Sequence, residues 1–430
     1  MLEASIRNWN PWWAKSASIR KLSGVQRDIT SDIQKTLEIK HIKDIIGARR
    51  SGKTTTLYQI INILQNKEVH PKNIVFLNFD DIEVNAASFD EIMKAVEKIN
   101  PDVNYLFLDE IQQKTGWERW IRTLYDQGRF KQIFVSGSSA SLLSQDIGRV
   151  LTGRHVTFTV YPCSFKEYLR FIGWNDFSND YLAYHKNKIL HHLQAYIMSG
   201  GFPEIIGKNE FERKTILTNI HNDILARDIS ARYNVSYDIT RKISYHLLSN
   251  NSKEFSFRSI ANAVDVSVET VEKHLQYLEE SFMILTLPVF SYKTKIQFKQ
   301  NKKSYCIDTG LRNAVAFRIS EDLGRNAENI VFLELLRRKK DVFFWKDKKQ
   351  HEVDFLIKEE LNPISLIQIC WDVTNKKTRQ REIDGLLSAM ETFKLNEGII
   401  LTEDFENVEK HNGRKIKYIS LWKWLLNTDQ

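Results

Sequence analysis

The chain has 430 residues, of which 42% are hydrophobic and 27% are charged, and its formal net charge is +8. The length suggests roughly two to four domains, and the balance of hydrophobic and charged residues is typical of a globular protein. The moderate positive charge permits a nucleic-acid partner without establishing one. No apolar run approaches the ~20 residues of a membrane-spanning helix, and the N-terminus lacks the apolar core of a signal peptide. We therefore expect no membrane partner. Because Cys163, Cys306 and Cys370 have no paired spacing, we also expect no disulfide framework and no zinc site, and a location in the reducing cytoplasm.

A lead-in at residues 1–40 precedes a segment of alternating strand-like and helix-like patterns. The lead-in carries Trp9, Trp12 and Trp13, which we interpret as a packing cluster. Residues 41–163 form the next predicted domain, where short apolar runs are bounded by polar turns and separated by helical periods. Such runs are typical of strands covered on both faces, so the pattern predicts a parallel sheet. Its predicted strands are Ile42–Ile46, Ile74–Phe79, Tyr105–Leu108 and Gln132–Ser136.

The segment Gly47–Thr54 reads GARRSGKT and fits the G-x-x-x-x-G-K-[ST] pattern of a phosphate-binding loop. A predicted strand leads into it and a predicted helix, Thr55–Gln65, leads out. Glycines let the backbone point N–H groups at phosphate oxygens, and the helix N-terminus adds positive potential. Lys53 is expected to neutralise the β- and γ-phosphates of ATP, and the Thr54 hydroxyl is expected to hold Mg²⁺. The residues expected to bind the nucleotide are Gly47, Ala48, Arg49, Arg50, Ser51, Gly52, Lys53, Thr54 and Thr55.

Two acids, Asp109 and Glu110, directly follow a predicted strand. At the carboxyl end of a parallel strand they should lie beside the phosphate loop. Asp109 is predicted to bind Mg²⁺, and Glu110 to orient or deprotonate the attacking water. The next strand leads into Ser138, which is predicted to sense the γ-phosphate, although a plain turn explains this segment almost as well. The predicted cofactors are ATP and Mg²⁺.

Two mainly helical domains are predicted next. Residues 164–235 form a helical lid whose predicted helices are Phe165–Ile172, Tyr181–Met198 and Glu212–Tyr233. Residues 236–315 resemble a winged-helix domain, with Ser267 as the N-cap of its second helix. That helix is acidic, which is unfavourable for contact with phosphates, whereas the wing is basic. Two equal alternatives therefore remain: the domain is a spacer that relays the nucleotide state between its neighbours, or its wing contacts the backbone phosphates of DNA. The wing lysines are Lys293, Lys295, Lys299, Lys302 and Lys303.

Residues 316–430 return to an α/β pattern. The predicted helices are Leu323–Arg338 and Arg381–Phe393, and the predicted strands are Asp341–Trp345, Glu352–Ile357, Leu366–Cys370 and Gly398–Leu401.

Seven short motifs occur in order along nearly the whole chain: GARRSGKTTTL (47–57), LFLDEIQ (106–112), VSGSSASLL (135–143), LTGRH (151–155), YPCSFKEYL (161–169), SGGFPE (199–204) and EVDF (352–355). In this combination the chain resembles the AAA-like ATPases of the STAND class that carry a C-terminal restriction-nuclease-like domain. The resemblance implies an α/β protein with a P-loop parallel-sheet ATPase core, a helical lid, a winged-helix domain and an α/β nuclease-like domain.

The resemblance also implies two further nucleotide-site residues. A G-x-P segment in the lid of STAND proteins contacts the base, and Pro203 is the matching residue here; a simple helix break is the alternative. Arg154, from LTGR, would stabilise the transferring phosphoryl group from the same chain or from a neighbour, with Arg149 as the second choice. Either arginine could instead form an ordinary surface salt bridge.

A restriction-type site needs an acid on one strand, E/Q-x-K on the next strand and a Glu on the first helix, with a metal ion between the acids. The resemblance assigns these metal ligands to Glu328, Asp354 and Gln368. The lysine position holds Cys370, which favours a degenerate or regulated nuclease fold. Lys358 lies four residues after Asp354, hence on the same strand face by alternation, and is a candidate substitute.

Three functional hypotheses follow. The first is an ATP-hydrolysing switch that controls a C-terminal domain facing nucleic acid, with DNA preferred over RNA as the partner. The second is a signalling scaffold that turns ATP over rarely and forms a nucleotide-dependent homo-oligomer. The third is a metal-dependent DNA nuclease.

Overall fold

The computed structural model describes residues 1–138, 153–293, 301–316 and 322–427. The chain divides into two compact units: Met1–Tyr161 with Glu280–Phe282, and Pro162–Glu279 with Met283–Gln430. None of the helices in the described ranges combines the length and the hydropathy that a bilayer-spanning segment needs.

The first unit is built on a five-stranded parallel sheet with the strand order β2-β3-β4-β1-β5. The four predicted strands are confirmed with small shifts at their ends, and β5 was not predicted. This edge strand is only partly buried and contains His and Thr, so it lacks the continuous apolar run of its neighbours. The strands are β1 Ile42–Ile46, β2 Ile74–Asn78, β3 Tyr105–Asp109, β4 Gln132–Gly137 and β5 His155–Thr159.

Helices α1 to α3 belong to the lead-in of the first unit, and helices α4 to α7 follow or connect the strands of its sheet. The predicted helix after the phosphate loop begins two residues earlier than expected, at Lys53. The helices are α1 Leu2–Trp9, α2 Ser18–Ser23, α3 Ile29–Lys35, α4 Lys53–Asn66, α5 Ile82–Ala86, α6 Phe89–Ile99 and α7 Trp117–Asp126.

The lead-in packs against the edge strand β2. Trp12 is 1% exposed and packs edge-on against Tyr58 and Phe76, and Trp9 and Trp13 join the same core cluster, as predicted. The Asn10 carboxamide donates to the Phe76 carbonyl and accepts from the Phe76 N–H, each at 2.8 Å. These two bonds satisfy backbone groups that an edge strand would otherwise leave open.

The second unit begins with a helical segment. The predicted helix Tyr181–Met198 is divided at His185, and the next predicted helix starts at Glu210 because Asn209 and Glu212 form a capping box. A π-helix, Ile224–Ala231, continues that helix. The helices are α8 Phe165–Phe171, α9 Asn179–Tyr184, α10 Lys186–Ser199 and α11 Glu210–Asp223.

Residues 237–293 and 301–306 form three helices and three strands, and their assignment as a winged-helix domain stays a prediction. The three strands form an antiparallel sheet with the order β6-β8-β7, and the Ser267 hydroxyl caps the second helix by accepting from the Thr270 N–H at 3.1 Å. The wing residues Lys295 and Lys299 lie outside the described residues. The elements are α12 Tyr237–Ser249, β6 Lys253–Phe255, α13 Phe257–Val264, α14 Val268–Glu280, β7 Ile284–Leu287 and β8 Lys302–Cys306.

The C-terminal part of the second unit contains a six-stranded mixed sheet with the order β13-β14-β12-β11-β10-β9. An antiparallel meander, β9-β10-β11, is followed by a helical crossover to β12, which is parallel to β11. The β13–β14 hairpin was not predicted, although its turn contains Asn412-Gly413 with positive φ at both residues, a common hairpin signal. The elements are α15 Thr309–Val315, α16 Leu323–Arg337, β9 Asp341–Lys346, β10 Glu352–Glu359, β11 Asn362–Ile369, α17 Lys376–Phe393, β12 Glu397–Thr402, β13 Asn407–His411, β14 Arg414–Ser420 and α18 Leu421–Leu426.

His221 on α11 gives this helical packing a pH dependence. Its Nε2 lies 3.0 Å from the Ser244 hydroxyl of α12, and burial lowers the pKa of the imidazole to about 4. The neutral ring is therefore favoured in the folded state, so its contribution to stability is complete above the unfolded pKa of roughly 6.5 and is lost as the pH falls toward 4.

We expect the free energy of unfolding to fall by about 2–3 kcal/mol more between pH 7 and 4.5 in the native chain than in a His221→Gln variant. Urea denaturation followed by circular dichroism at both pH values measures this difference. Equal pH dependence of the two proteins would contradict the assignment.

Candidate functional site

The phosphate loop joins the end of β1 to the start of α4. Gly47 has φ 149°, and a Cβ there would lie 2.2 Å from the Val160 carbonyl oxygen, so only glycine fits this close approach. Gly52 has φ 101° and occupies the N-cap of α4, where no side chain caps the helix. The first N–H groups of an uncapped helix have no intrahelical partners, which suits an anion.

Lys53 points back into this loop. It is 4% exposed, and its ammonium donates to the carbonyl oxygens of Gly47 at 3.2 Å and Ala48 at 3.1 Å. Its Nζ lies 4.0 Å from Oε1 of Glu110. The positive charge is therefore held at the centre of the loop, beside the predicted catalytic acid.

Asp109 lies at the end of β3 and links three elements. The Thr54 hydroxyl donates to its Oδ2 at 2.8 Å, and the Ser136 hydroxyl of β4 donates to its Oδ1. Burial, together with the nearby charge of Glu110, raises the pKa of the Asp109 carboxyl to about 6. The two predicted Mg²⁺ ligands thus touch each other.

Glu110 has a left-handed backbone, with φ 51°, and its N–H donates to the Ser136 hydroxyl at 3.3 Å. The Gln112 amide donates both to the Glu110 carboxylate and, at 3.4 Å, to the Ser138 hydroxyl. Ser138 therefore lies in the same polar network as the predicted catalytic acid. Ser136 and Gln112 were not predicted, although Gln112 lies in the same motif as the acids and Ser136 in the motif that follows it along the chain.

The donor chemistry of this site fits Mg²⁺ and a triphosphate. The Thr54 hydroxyl and the Asp109 carboxylate are hard oxygen ligands of the kind that Mg²⁺ prefers. In the described part of the chain, the buried Ser51 hydroxyl has no hydrogen-bond partner, and it lies within the loop itself. A phosphate oxygen would satisfy such a group.

Arg27 is a third residue that sequence analysis missed. It lies in the lead-in, is 4% exposed, and donates to the carbonyl oxygens of Ser51 at 2.8 Å and Tyr161 at 2.7 Å. It therefore connects the backbone of the phosphate loop to the segment that follows β5. An isolated arginine far from the motif carries no sequence signal for this role.

Arg154 lies away from the phosphate loop. Its carbonyl accepts from the N–H of Ile42 at the start of β1, whereas the loop follows Ile46 at the end of that strand. The separation is roughly 15 Å along the strand. Its guanidinium instead pairs with Asp126 at 3.0 Å. This geometry disagrees with a role for Arg154 in stabilising a phosphoryl group at the loop of its own chain. The same role at the loop of a neighbouring chain stays a prediction. Arg149 lies outside the described residues.

The segment around Pro203 belongs to the second unit and has a clear packing role. A Cβ on Gly200 would lie 2.0 Å from a carboxylate oxygen of Asp308, and the Gly201 N–H donates to the same carboxylate at 2.6 Å. A short 3₁₀ helix, Pro203–Ile205, follows. Gly200 is therefore required by the contact with Asp308, and Gly201 by a separate contact, since a Cβ there would lie 2.3 Å from the Cys163 carbonyl oxygen. Base binding by Pro203 stays a prediction.

The second unit contains an acidic pocket of about 540 Å³. It brings together Glu328 from α16, Asp354 from β10 and Gln368 from β11, the three residues assigned to a nuclease-like site. Gln368 accepts from the Asp354 N–H at 3.0 Å and donates to Glu382 of α17. Burial and the charge of Asp354 raise the pKa of the Glu328 carboxyl to about 8.

The prediction that Lys303 is a surface lysine of the wing is wrong. Lys303 is 3% exposed, and its Nζ lies 3.0 Å from Glu328, 2.7 Å from Glu352 and 3.0 Å from Asp354. Although burial opposes the charged form, Glu328 and Asp354 raise its pKa well above the usual value. The pocket therefore contains a lysine that comes from the winged-helix sheet.

The proposed substitute Lys358 does not reach the pocket. It pairs with Asp341 at 2.6 Å, because the register of β10 shifts between Val353 and Leu356 and again between Ile357 and Lys358. Each shift interrupts the alternation on which the sequence argument relied. Cys370 is 1% exposed, and burial raises the pKa of its thiol to about 11, so it is an inert neutral group.

Replacing Arg27 by Ala should loosen the phosphate loop, because two buried carbonyl groups lose their charged donor. We expect a loss of about 1–3 kcal/mol in unfolding free energy and weaker ATP binding. Denaturation and calorimetric ATP titration measure both effects, with Arg20→Ala at an exposed lead-in site as the matched control. Identical behaviour of the two variants would contradict this role.

Comparison with known proteins assigns three regions of the chain. Residues 40–169 match the AAA domain family, residues 190–324 match the domain of unknown function DUF8612, and residues 323–424 match the domain of unknown function DUF4143. The parallel-sheet unit is therefore an AAA-type P-loop domain.

Solved structures with similarity to the chain include AMPPCP-bound DnaA from Aquifex aeolicus, with 18% identity and a TM-score of 0.27 over 58% of this chain and 86% of that chain. The Orc1 protein of Aeropyrum pernix in complex with DNA has 11% identity and a TM-score of 0.28 over 70% of this chain and 91% of that chain.

Two relatives match almost end to end. The uncharacterized protein MJ1544 of Methanocaldococcus jannaschii is 34% identical over 93% of this chain and 91% of its own length. An uncharacterized protein of Haemophilus influenzae is 30% identical over 89% of this chain and 94% of its own length. On this similarity, the chain belongs to the protein family that includes MJ1544 and its Haemophilus relative.

Proposed function

We propose that the protein is an ATPase that acts as a nucleotide-dependent switch on its C-terminal, nucleic-acid-facing part. The observation that carries the proposal is the meeting of Lys53, Thr54, Asp109 and Glu110 at one edge of the parallel sheet. These are the four chemical functions that phosphoryl transfer from a nucleotide needs: a fixed cation, two Mg²⁺ ligands and a carboxylate near the attacking water.

Each residue has a distinct role in this proposal. The loop N–H groups and Lys53 bind the β- and γ-phosphates, while Thr54 and Asp109 hold Mg²⁺, which neutralises charge on the phosphate oxygens. Glu110 orients the attacking water and accepts its proton. The network through Gln112 and Ser138 gives Glu110 a route for responding to the γ-phosphate.

Turnover by the free protein is proposed to be slow. The placement of Arg154 beside Asp126 supports this, because the implied arginine does not reach the loop of its own chain. P-loop proteins without a placed arginine hydrolyse at ~10⁻⁴–10⁻³ s⁻¹, and a placed arginine adds ~10³–10⁵-fold. A neighbouring copy that supplied Arg154 in a nucleotide-dependent homo-oligomer would accelerate the reaction.

The proposed output of the switch is the winged-helix and C-terminal part. The convergence of Glu328, Asp354 and Gln368 supports a restriction-nuclease-like site, for which Mg²⁺ or Mn²⁺ would be the metal and DNA the substrate. Carboxylate and amide oxygens fit such an ion, but Lys303 lies among them. The pocket is thus proposed as a regulated site and not as a constitutively active nuclease.

Substitutions of Lys53 and Glu110 separate binding from hydrolysis. Lys53→Ala should weaken ATP binding at least about tenfold, because the loop loses its cation. Glu110→Gln should keep ATP affinity but lower kcat by about 10²–10⁴-fold. Calorimetry and phosphate release measure the two effects.

The control for both substitutions is Lys67→Ala, at the exposed end of the same helix, α4, which should behave like the native protein. Unchanged phosphate release by Glu110→Gln would remove Glu110 from the mechanism.

The switch and the scaffold differ in their response to nucleic acid. We expect single- or double-stranded DNA to raise the ATPase rate of the full chain several-fold, since a switch couples its two ends through linked equilibria. Phosphate release with and without a panel of DNA and RNA molecules measures this. A rate indifferent to every polymer, combined with ATP-dependent oligomers in light scattering, would favour the scaffold instead.

A further inference from the structure

The ammonium of Lys303 lies at the point where the carboxylates of the acidic pocket converge. Its Nζ is within 3.0 Å of oxygens from Glu328, Glu352 and Asp354. A lysine on a domain surface would be solvated, whereas this side chain is 3% exposed and pairs with acids that come from α16 and β10. The pocket therefore already holds a cation, and that cation is part of the chain.

Strand β8 delivers this cation in a fixed geometry. It is the central strand of the winged-helix sheet, and Lys303 is paired with Glu254 of β6 on one side and with Leu287 of β7 on the other. Tyr305, two residues further along the strand, donates its hydroxyl to the same Oε1 of Glu328 at 2.7 Å. Two side chains from one face of β8 thus enter the pocket together.

A divalent ion bound to these oxygens would compete with Lys303 for them. Mg²⁺ and Ca²⁺ bind carboxylates at roughly 2.0–2.6 Å, so an ion on the same oxygens would lie within a few ångströms of the ammonium. Repulsion between the two cations at that distance is strong in a buried site.

We propose that Lys303 is a tethered competitor of divalent metal, which closes the acidic pocket until β8 withdraws. The inference rests on the proposed nuclease-like site and is independent of ATP binding. In the closed state Lys303 and Tyr305 satisfy the acids, and the pocket has no need of a metal ion. Withdrawal of β8 leaves Glu328 and Asp354 uncompensated, which creates a site for Mg²⁺ or Mn²⁺. The winged-helix sheet is then the inhibitor of the neighbouring pocket and not a DNA-reading surface.

The test is Mn²⁺ binding to the nucleotide-free full chain, followed by electron paramagnetic resonance. Lys303→Met should bind one additional Mn²⁺ at least about tenfold more tightly than the native protein, because the competing charge is gone. Adding Asp354→Asn to that variant should abolish the gain. Lys302→Met, one residue earlier on β8 and partly exposed, is the matched control and should bind Mn²⁺ like the native chain.

Two outcomes would overturn the proposal: tight Mn²⁺ binding by the native chain that Asp354→Asn removes, or no additional binding by Lys303→Met. Should Lys303→Met fail to fold without metal, refolding on Mn²⁺ addition supports the proposal. Lys303→Gln, which keeps hydrogen-bond donors without the charge, then repeats the binding comparison with the same predicted gain. ATP affinity, measured in parallel, should stay unchanged in all these variants, so a failure here is distinguishable from a failure of the nucleotide site.

Discussion

The hydrogen bond between the Thr54 hydroxyl and the Asp109 carboxylate is the interaction on which the nucleotide site depends. Asp109 ends β3, whereas Thr54 lies in the first turn of α4, which the phosphate loop joins to the end of β1. The strands β1 and β3 are not adjacent, because β4 lies between them. The two residues meet only because all these strands are parallel and end at the same edge of the sheet. Ser136, at the end of the intervening β4, completes the link by donating to Asp109. A change in strand order would therefore separate the two proposed Mg²⁺ ligands even if every motif were retained.

Local sequence patterns predicted this half of the molecule well. The phosphate loop, the strands and the terminal acids are short contiguous signals, and each needs only its own neighbours to form. The edge strand β5 was missed because partial exposure gives it a mixed composition. Arg27 was missed because its contacts with Ser51 and Tyr161 join residues that are remote in sequence. Such contacts depend on the tertiary fold and leave no local pattern.

The acidic pocket of the second unit could be predicted only in part, because one of its residues comes from a distant part of the sequence. The family resemblance assigned Glu328, Asp354 and Gln368 to it, but the position expected to hold a lysine is Cys370, and the proposed substitute Lys358 lies elsewhere. Alternation failed for Lys358 because β10 is irregular at two positions. Lys303 could not be found by spacing, since it belongs to the winged-helix domain as drawn from sequence, whereas its partners belong to the domain that follows. The predicted boundary at residues 315–316 thus separates Lys303 from the acids with which it forms ion pairs.

The central claim is that the loop after β1 binds the phosphates of a nucleotide rather than its base or sugar. Calorimetric titration of the full chain with ATP and with AMP, each in the presence of Mg²⁺, tests this most directly. Since the loop amides, Lys53 and the Thr54–Asp109 pair all address the terminal phosphates, ATP should bind at least about tenfold more tightly than AMP. Equal affinity for the two nucleotides, or no binding of either one, would contradict the account.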